Sequence, residues 1–251
     1  MKLLKIGGSI ITNKDRYKSI NKKNVKRIAN EISEFPNGLV LVHGAGSYGH
    51  PIVKKHGLNK IGEDRFVGGW NERLIAFEEV RRSVKELNSF FVNTLNDKGV
   101  PTTTIHPSSF VITEKSDIKE FQLETLELAY QQKSVPILHG DMVMDTEYGG
   151  AVLSGDKIIS FIAKNSKIEV DRVGMATNTP VINDKGEKIM YFREKHKKYL
   201  NESDSIDVTG GMKNKVQELI ELKKPAYIFD ATKPGAILDF LKGRKVGTEI
   251  K

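Results

Sequence analysis

The sequence predicts an α/β protein built on a largely parallel sheet, and three observations carry that expectation. Short apolar runs recur at Lys2–Ile6, Leu39–Val42, Val135–Leu138 and Ala226–Phe229 without strict alternation, as strands buried on both faces require. Amphipathic stretches with helical spacing separate them, and glycine-rich loops follow several of the runs. In such sheets ligands bind beyond the carboxyl ends of the strands, so those loops are where chemistry is expected.

Each element follows from its residues. Lys2–Ile6 is a strand ended by Gly7–Gly8. Ile20–Phe35 carries Val25, Ile28, Ala29 and Ile32 at helical spacing and stops at Pro36–Gly38. Leu39–Val42 is the second strand. Trp70–Asp97 is a long helical pattern with Leu74, Phe77, Val80, Val84 and Leu87 on one side. Gly99–Ile105 reads as a strand, Lys119–Gln131 as a helix and Val135–Leu138 as a strand. Asp156–Lys164 reads as helix, Ile168–Val173 as extended, and Pro180–Tyr191 as a hairpin around Asp184–Lys185–Gly186. Gly211–Leu222 is a helix, Ala226–Phe229 a strand, and Pro234–Leu241 the last helix.

Composition narrows the function. In 251 residues there is no cysteine, which excludes disulfides, thiolate metal sites and a cysteine nucleophile, and predicts a cytoplasmic protein. No apolar run approaches the roughly 20 residues of a membrane span, and the opening MKLLKIGG does not read as a signal peptide. Forty Lys+Arg against 32 Asp+Glu give a net charge of +8. The basic residues are scattered, with small clusters at Lys22–Lys23, Arg81–Arg82 and Lys195–Lys198, whereas a nucleic-acid surface would concentrate them and interleave aromatics. Neither nucleic acid nor membrane is an expected partner.

Three loops carry the candidate chemistry. Lys5–Ser9, followed by Thr12 and Lys14, places two glycines at a strand end, where backbone N–H groups can approach a ligand. His43–His50 contains Gly44, Gly46 and Gly49 in a G-x-G-x-x-G pattern, with Glu63 or Asp64 about 20 residues on. That pattern admits an NAD(P)-dependent oxidoreductase, although the fingerprint normally follows the first strand of its unit. Asp207–Lys215 holds Gly210–Gly211 at a helix start with Lys213 and Lys215 nearby, against the dipole's preference unless an anion binds there. No Walker A motif is present. Together the loops suit a ligand with several phosphates, and phosphoryl transfer needs positioning and positive charge more than a protein nucleophile.

At these residues the chain resembles the amino-acid kinase superfamily and, within it, the archaeal isopentenyl phosphate kinases. The matching segments are Lys5–Lys14 (KIGGSIITNK), His43–His50 (HGAGSYGH), His139–Asp141 (HGD), Leu153–Asp156 (LSGD) and Asp207–Lys215 (DVTGGMKNK), in family order along the whole chain. The resemblance implies a three-layer αβα sandwich forming one domain over residues 1–251. An acceptor-binding and phosphate-loop half would cover about 1–165 and a nucleotide-binding half about 166–251. It also implies ATP-dependent conversion of isopentenyl phosphate to its diphosphate by direct in-line transfer, with Mg²⁺ held mainly through phosphate oxygens, in a homodimer.

Residue by residue, the resemblance makes Lys5, Lys14, His50, Asp156 and Lys215 the catalytic set. Lys5, Gly7, Gly8, Ser9, Ala45, Gly46, Gly211 and Lys215 would hold ATP. Gly44, Ala45, Gly49, His50, Gly140, Ser154 and Gly155 would hold the acceptor. Asp156 would orient lysines rather than act as a base, because the attacking oxygen is already an anionic phosphate. No protein metal ligand is implied. Ala45 departs from the family's glycine and adds a methyl where the backbone should touch phosphate. Lys157 follows Asp156 where a second acid is common, and Asp171–Ala176 replaces an acidic loop on the nucleotide side.

Plainer roles stand beside these. His43 and His139 end apolar strands and are as readily structural as functional, and Asp141 and Asp145 read as hairpin residues. The six histidines show no zinc-binding spacing. Phe66, Phe77, Val80 and Val84 read as helix core, with an isoprenoid-tail pocket as the alternative. A related kinase with a carboxylate, nucleoside monophosphate or phosphonate acceptor is the nearest rival function.

Overall fold

The computed structural model describes residues 1–13, 15–58, 72–182, 187–193 and 211–251. Its elements are β1 (Lys2–Ile6), α1 (Gly8–Ile11), α2 (Lys22–Ser33), β2 (Leu39–His43), α3 (His50–Lys55), α4 (Glu72–Asn96), β3 (Thr102–Thr104), β4 (Val111–Glu114), β5 (Asp117–Phe121), α5 (Glu124–Gln131) and β6 (Val135–His139). There follow β7 (Asp141–Asp145), β8 (Gly149–Leu153), α6 (Gly155–Asn165), β9 (Arg172–Thr177), β10 (Tyr191–Phe192), α7 (Gly211–Glu221), β11 (Ala226–Asp230), α8 (Ala236–Leu241) and β12 (Thr248–Ile250). Among the described residues no helix is long and apolar enough to cross a membrane.

Eight strands form one sheet in the order β10-β12-β11-β9-β1-β2-β6-β3. Its pairings are parallel except β11 with β12. The α/β architecture with a largely parallel sheet, expected from the alternating pattern, is present, as is the sandwich that the resemblance implies. The period of two along β1 divides the core. Leu4 and Ile6 face the layer of α2, α4 and α8, where they meet Ile28, Ile32, Leu87, Phe91 and Phe240. Leu3 faces the opposite layer, with Ile158 and Ile162 of α6 and Val216 and Leu219 of α7. Lys5 shares the face of Leu3, so a charged side chain points into the α6–α7 layer.

A second sheet has the order β5-β4-β7-β8, and its β7 lies against α4. It corrects the helix expected over Lys119–Gln131: Asp117–Phe121 is strand, and only Glu124–Gln131 is helical. Alternating charges in Asp117–Ile–Lys–Glu–Phe121 mimic a solvated helix face, but antiparallel pairing with β4 decides the outcome. Asp145 builds this sheet's turns. Its carboxylate accepts the amides of Ser116 (2.8 Å), Lys115 (3.2 Å), Glu147 (3.0 Å) and Tyr148 (2.8 Å), and the Thr113 hydroxyl at 2.7 Å. Burial alone would raise its carboxyl, and these donors outweigh it and hold the group below the usual range.

Other expectations shift by a few residues. The extended segment placed at Ile168–Val173 is a strand at Arg172–Thr177. The long helix is described over Glu72–Asn96. The 180–191 hairpin shows one antiparallel bridge, Ile182 with Lys188, and its turn lies outside the described residues. Phe66, Lys14 and Asp207–Gly210 lie outside them as well.

Candidate active site

The parallel register sets three loops at one level. Ile6 pairs with His43, and His43 with His139. The ladder continues past the strand ends, with Gly44 N–H donating to Ile6 O and Gly140 N–H to His43 O, both at 2.9 Å. The first two loops then touch backbone to backbone. A Cβ added to Gly8 would lie 2.6 Å from Gly46 Cα, and one added to Gly44 would lie 2.7 Å from Gly8 N. Gly46 also has φ +52, in the left-handed region. The first two glycines of the G-x-G-x-x-G pattern, Gly44 and Gly46, are thus accounted for by packing against the first loop, without a dinucleotide.

Lys5 Nζ lies 2.8 Å from Asp156 Oδ1, and Lys215 Nζ lies 3.6 Å from Asp156 Oδ2. Asp156 sits in the first turn of α6, whose N-cap is Ser154; the Ser154 hydroxyl accepts the Lys157 amide at 3.1 Å. Burial pushes the Asp156 carboxyl up, but the ammonium groups of Lys5 and Lys215 outweigh it and keep the group below the ordinary carboxylate range. Glu218, beyond Lys215 on α7, is pushed up by burial and by the Asp156 charge, and accepts the Ser160 hydroxyl at 3.0 Å. Gly140 and Gly155 complete the floor. A Cβ on Gly155 would lie 3.6 Å from Lys5 Cε and 3.5 Å from His43 O, and one on Gly140 would lie 3.4 Å from Gly155 N.

Lys5, Gly8, Gly44, Gly46, Gly140, Gly155, Asp156 and Lys215 therefore share one neighbourhood at the carboxyl end of β1, β2 and β6. Gly7 donates its N–H to Ala176 O at 2.9 Å, and Gly211 opens α7. His50 is exposed at the start of α3, directly after the second loop. Two ammonium groups beside glycine loops form a cationic floor suited to a polyanion.

The Ala45 methyl, expected where the backbone would touch phosphate, has an apolar neighbourhood. It packs on the Ile52, Phe77, Val80, Val84 and Met142 cluster between α3 and α4. A Cβ at Gly49 would come within 2.6 Å of it, so glycine at 49 makes room for alanine at 45. The Asp171–Ala176 departure is structural too. Asp171 pairs with the Met1 amine at 2.7 Å, and the Arg172 guanidinium lies 4.4 Å from the Tyr227 ring centre and 4.8 Å from that of Phe240.

On the opposite face of the sheet, the buried His43 and His139 and the half-buried His106 form an array. His43 Nε2 is 3.1 Å from Asn88 Oδ1, and His139 Nε2 is 2.8 Å from His106 Nδ1. Burial lowers His43 to about 4, helped by His139, and His139 to about 3. Asp141 accepts the Ser108 and Met142 amides, and burial pushes its carboxyl up. His106 and Asn88 carried no sequence signal, because neither sits in a glycine loop or a repeat.

The sequence profile of the amino acid kinase family matches residues 1–230. Isopentenyl phosphate kinase of Methanocaldococcus jannaschii is 33% identical over 259 residues, spanning 99% of this chain and 97% of that protein. The enzyme of the same name from Methanothermobacter thermautotrophicus is 30% identical and spans 100% and 98%. A solved structure described as an X-ray structure of isopentenyl phosphate kinase superposes with a TM-score of 0.85 at 28% identity, each chain covered in full.

Proposed function

The chain belongs to the amino acid kinase family and, within it, to the isopentenyl phosphate kinases, and from that membership we propose that it transfers the γ-phosphoryl group of ATP to isopentenyl phosphate. The observation that carries the chemistry is the largely buried carboxylate of Asp156, 17% exposed, with Lys5 on one oxygen and Lys215 on the other. It fixes two cations at the mouth of two touching glycine loops. A terminal phosphoryl group leaving its donor spreads negative charge over its oxygens, and preorganised ammonium and N–H groups stabilise that charge without reorganising.

The roles follow from placement and resemblance. Lys5 and the loop of Gly7, Gly8 and Ser9 hold nucleotide phosphates, with Ala45, Gly46, Gly211 and Lys215 closing over them. Gly44, Ala45, Gly49, Gly140, Ser154 and Gly155 cradle the acceptor phosphate, and His50 donates a hydrogen bond to it. Lys14 carries charge to the transferring group. Asp156 accepts from lysines and takes no proton, since its carboxyl stays below the usual range. Among the described residues no cluster of three or more acidic or histidine side chains could hold a metal. Both Asp156 oxygens face lysines, so Mg²⁺ would be held mainly by the substrates' phosphate oxygens and would supply charge neutralisation there.

The test is an ATP-consumption assay over isopentenyl phosphate, dimethylallyl phosphate, longer prenyl phosphates, acetylglutamate, UMP and fosfomycin. Isopentenyl phosphate is expected to give the highest kcat/KM. A carboxylate or nucleotide acceptor turned over faster would overturn the assignment while leaving the family intact.

A further inference from the structure

The two touching loops are held together by a pair of side chains to which neither the chemistry above nor the resemblance assigns a role. Thr12 and Ser47 are 2% and 3% exposed, although each carries a hydroxyl. The Thr12 hydroxyl donates to Gly8 O at 2.8 Å and accepts the Ser47 amide at 3.0 Å, tying the first glycine loop to the second through one oxygen. Ser47 extends the connection. Its hydroxyl accepts the Ser19 amide at 3.2 Å and donates to Ser19 O at 3.3 Å, and its carbonyl accepts the Lys18 amide at 3.2 Å. The segment from Thr12 to Ile20 is closed on itself by the Thr12–Ile20 bridge and by Asn13 N–H on Ser19 O at 2.8 Å.

We infer that Thr12 and Ser47 are positioning residues that set the separation and alignment of the nucleotide phosphates over the first loop and the acceptor phosphate over the second. This inference rests on the kinase reading above, which assigns those loops to the two substrates. In-line transfer demands a fixed donor–acceptor distance, and a displacement near 1 Å costs about 100-fold in rate. Neither hydroxyl needs to touch a substrate for this. The strand ladder sets where the two loops begin, and where they meet at Gly8 and Gly46 there are no side chains, so the Thr12 hydroxyl bonds are what tie them to each other there. The seal of Tyr17 on Glu79 at 2.8 Å and Lys18 on Glu86 at 2.9 Å ties the same segment to α4. Those outer contacts are exposed, and the buried hydroxyl pair is the part that fixes the loops.

The experiment compares Thr12→Val, Thr12→Ser and Ser47→Ala in the full-length protein, with ATP and whichever acceptor of the panel the native chain uses best. Thr12→Val keeps the shape and loses the hydroxyl. The expected result is a fall in kcat of about 10–100-fold, with KM for each substrate within about threefold of native. Separately measured dissociation constants for a non-hydrolysable ATP analogue and for the acceptor should stay similarly close. Thr12→Ser should restore kcat to within about threefold. Adding Ser47→Ala to Thr12→Val should cost less than the product of the single effects, because the Thr12 bond to the Ser47 amide and the Ser47 hydroxyl's bonds to Ser19 hold the same loop contact in series. Unchanged kcat in Thr12→Val and Ser47→Ala overturns the inference. So does a loss carried by substrate binding, or a Thr12→Ser variant no better than Thr12→Val. If Thr12→Val does not fold, Ser47→Ala and Thr12→Ser decide by the same criteria. An acceptor other than isopentenyl phosphate would overturn the functional assignment alone, since the kcat-against-KM comparison stands for any acceptor used.

Discussion

Two polar clusters lie at the carboxyl end of the same sheet on opposite faces, and they meet burial in opposite ways. On the α6–α7 side, Lys5, Asp156 and Lys215 stay charged, each ammonium answered by a carboxylate oxygen. On the α4 side, His43 and His139 are more deeply buried and give up their protons, hydrogen-bonded to neutral or backbone groups, with the Asp141 carboxylate 3.9 Å from His139 and itself pushed toward its neutral form by burial. A charge kept inside a protein requires a partner or a pKa that moves. The first cluster keeps two cations where the proposed function places the nucleotide phosphates. The second is neutral and lies at the strand ends from which the loops depart.

Removing the carboxylate breaks this contrast most severely. Asp156→Asn keeps the shape but removes the negative charge that Lys5 and Lys215 share. Breaking a buried pair costs about 3–5 kcal/mol, and misplaced cations are expected to lower kcat about 100–1,000-fold. Urea unfolding and steady-state kinetics measure both. A variant with native stability and native kcat would show that Asp156 is a bystander.

Acid titration separates the two faces without mutation. A histidine in the unfolded chain titrates near 6.5, whereas His43 and His139 in the fold do so near 4 and 3. Below about 6.5 the unfolded chain therefore binds protons that the folded chain refuses. Stability is complete above that pH and falls by about 1.4 kcal/mol per pH unit for each such histidine as pH drops toward 4. Asp141, pushed up by burial, works in the opposite direction and offsets part of this loss. Asp156 is held below 3.8, so its contribution is present above that value and is lost only at lower pH. Urea unfolding at pH 7, 6 and 5 should show the histidine slope, and His139→Gln should reduce it by about one proton. A flat profile across that window would mean the imidazoles are charged or exposed.

The two faces also differed in how far the sequence disclosed them. Lys5 at a strand end before Gly7–Gly8, and the glycines of the second loop, were visible because backbone approach has a compositional signature. The meeting of Lys5 with Asp156 and Lys215 was not, since it joins elements some 150 to 210 positions apart and was expected only through family resemblance. Helical spacing in α2 and apolar runs in β1, β2, β6 and β11 were legible because each buries a continuous stripe or two faces. The smaller sheet was not. Its strand Asp117–Phe121 is mostly exposed and charged, and its turns depend on one carboxylate, Asp145, about 30 residues away from Lys115 and Ser116. Thr12 and Ser47 sat inside recognised motifs, yet only the coordinates show one hydroxyl serving both loops.

The smallest expected effect lies at Asn88, and it sharpens the claim that the imidazole face is scaffold. Asn88 Oδ1 is the ring partner of His43, and the bond favours the protonated ring slightly against burial. Asn88→Ala removes that partner and leaves a buried imidazole nitrogen unsatisfied, at a cost of about 1–3 kcal/mol. It should also move the His43 titration lower still, which NMR of the ring can follow. Since no chemistry is assigned to this face, kcat and both KM values should remain within about twofold of native at neutral pH. A large fall in kcat with unchanged stability would reverse the assignment. It would place the histidine array among the groups that act on the reaction, and the opposition between a charged working face and a neutral supporting one would fail.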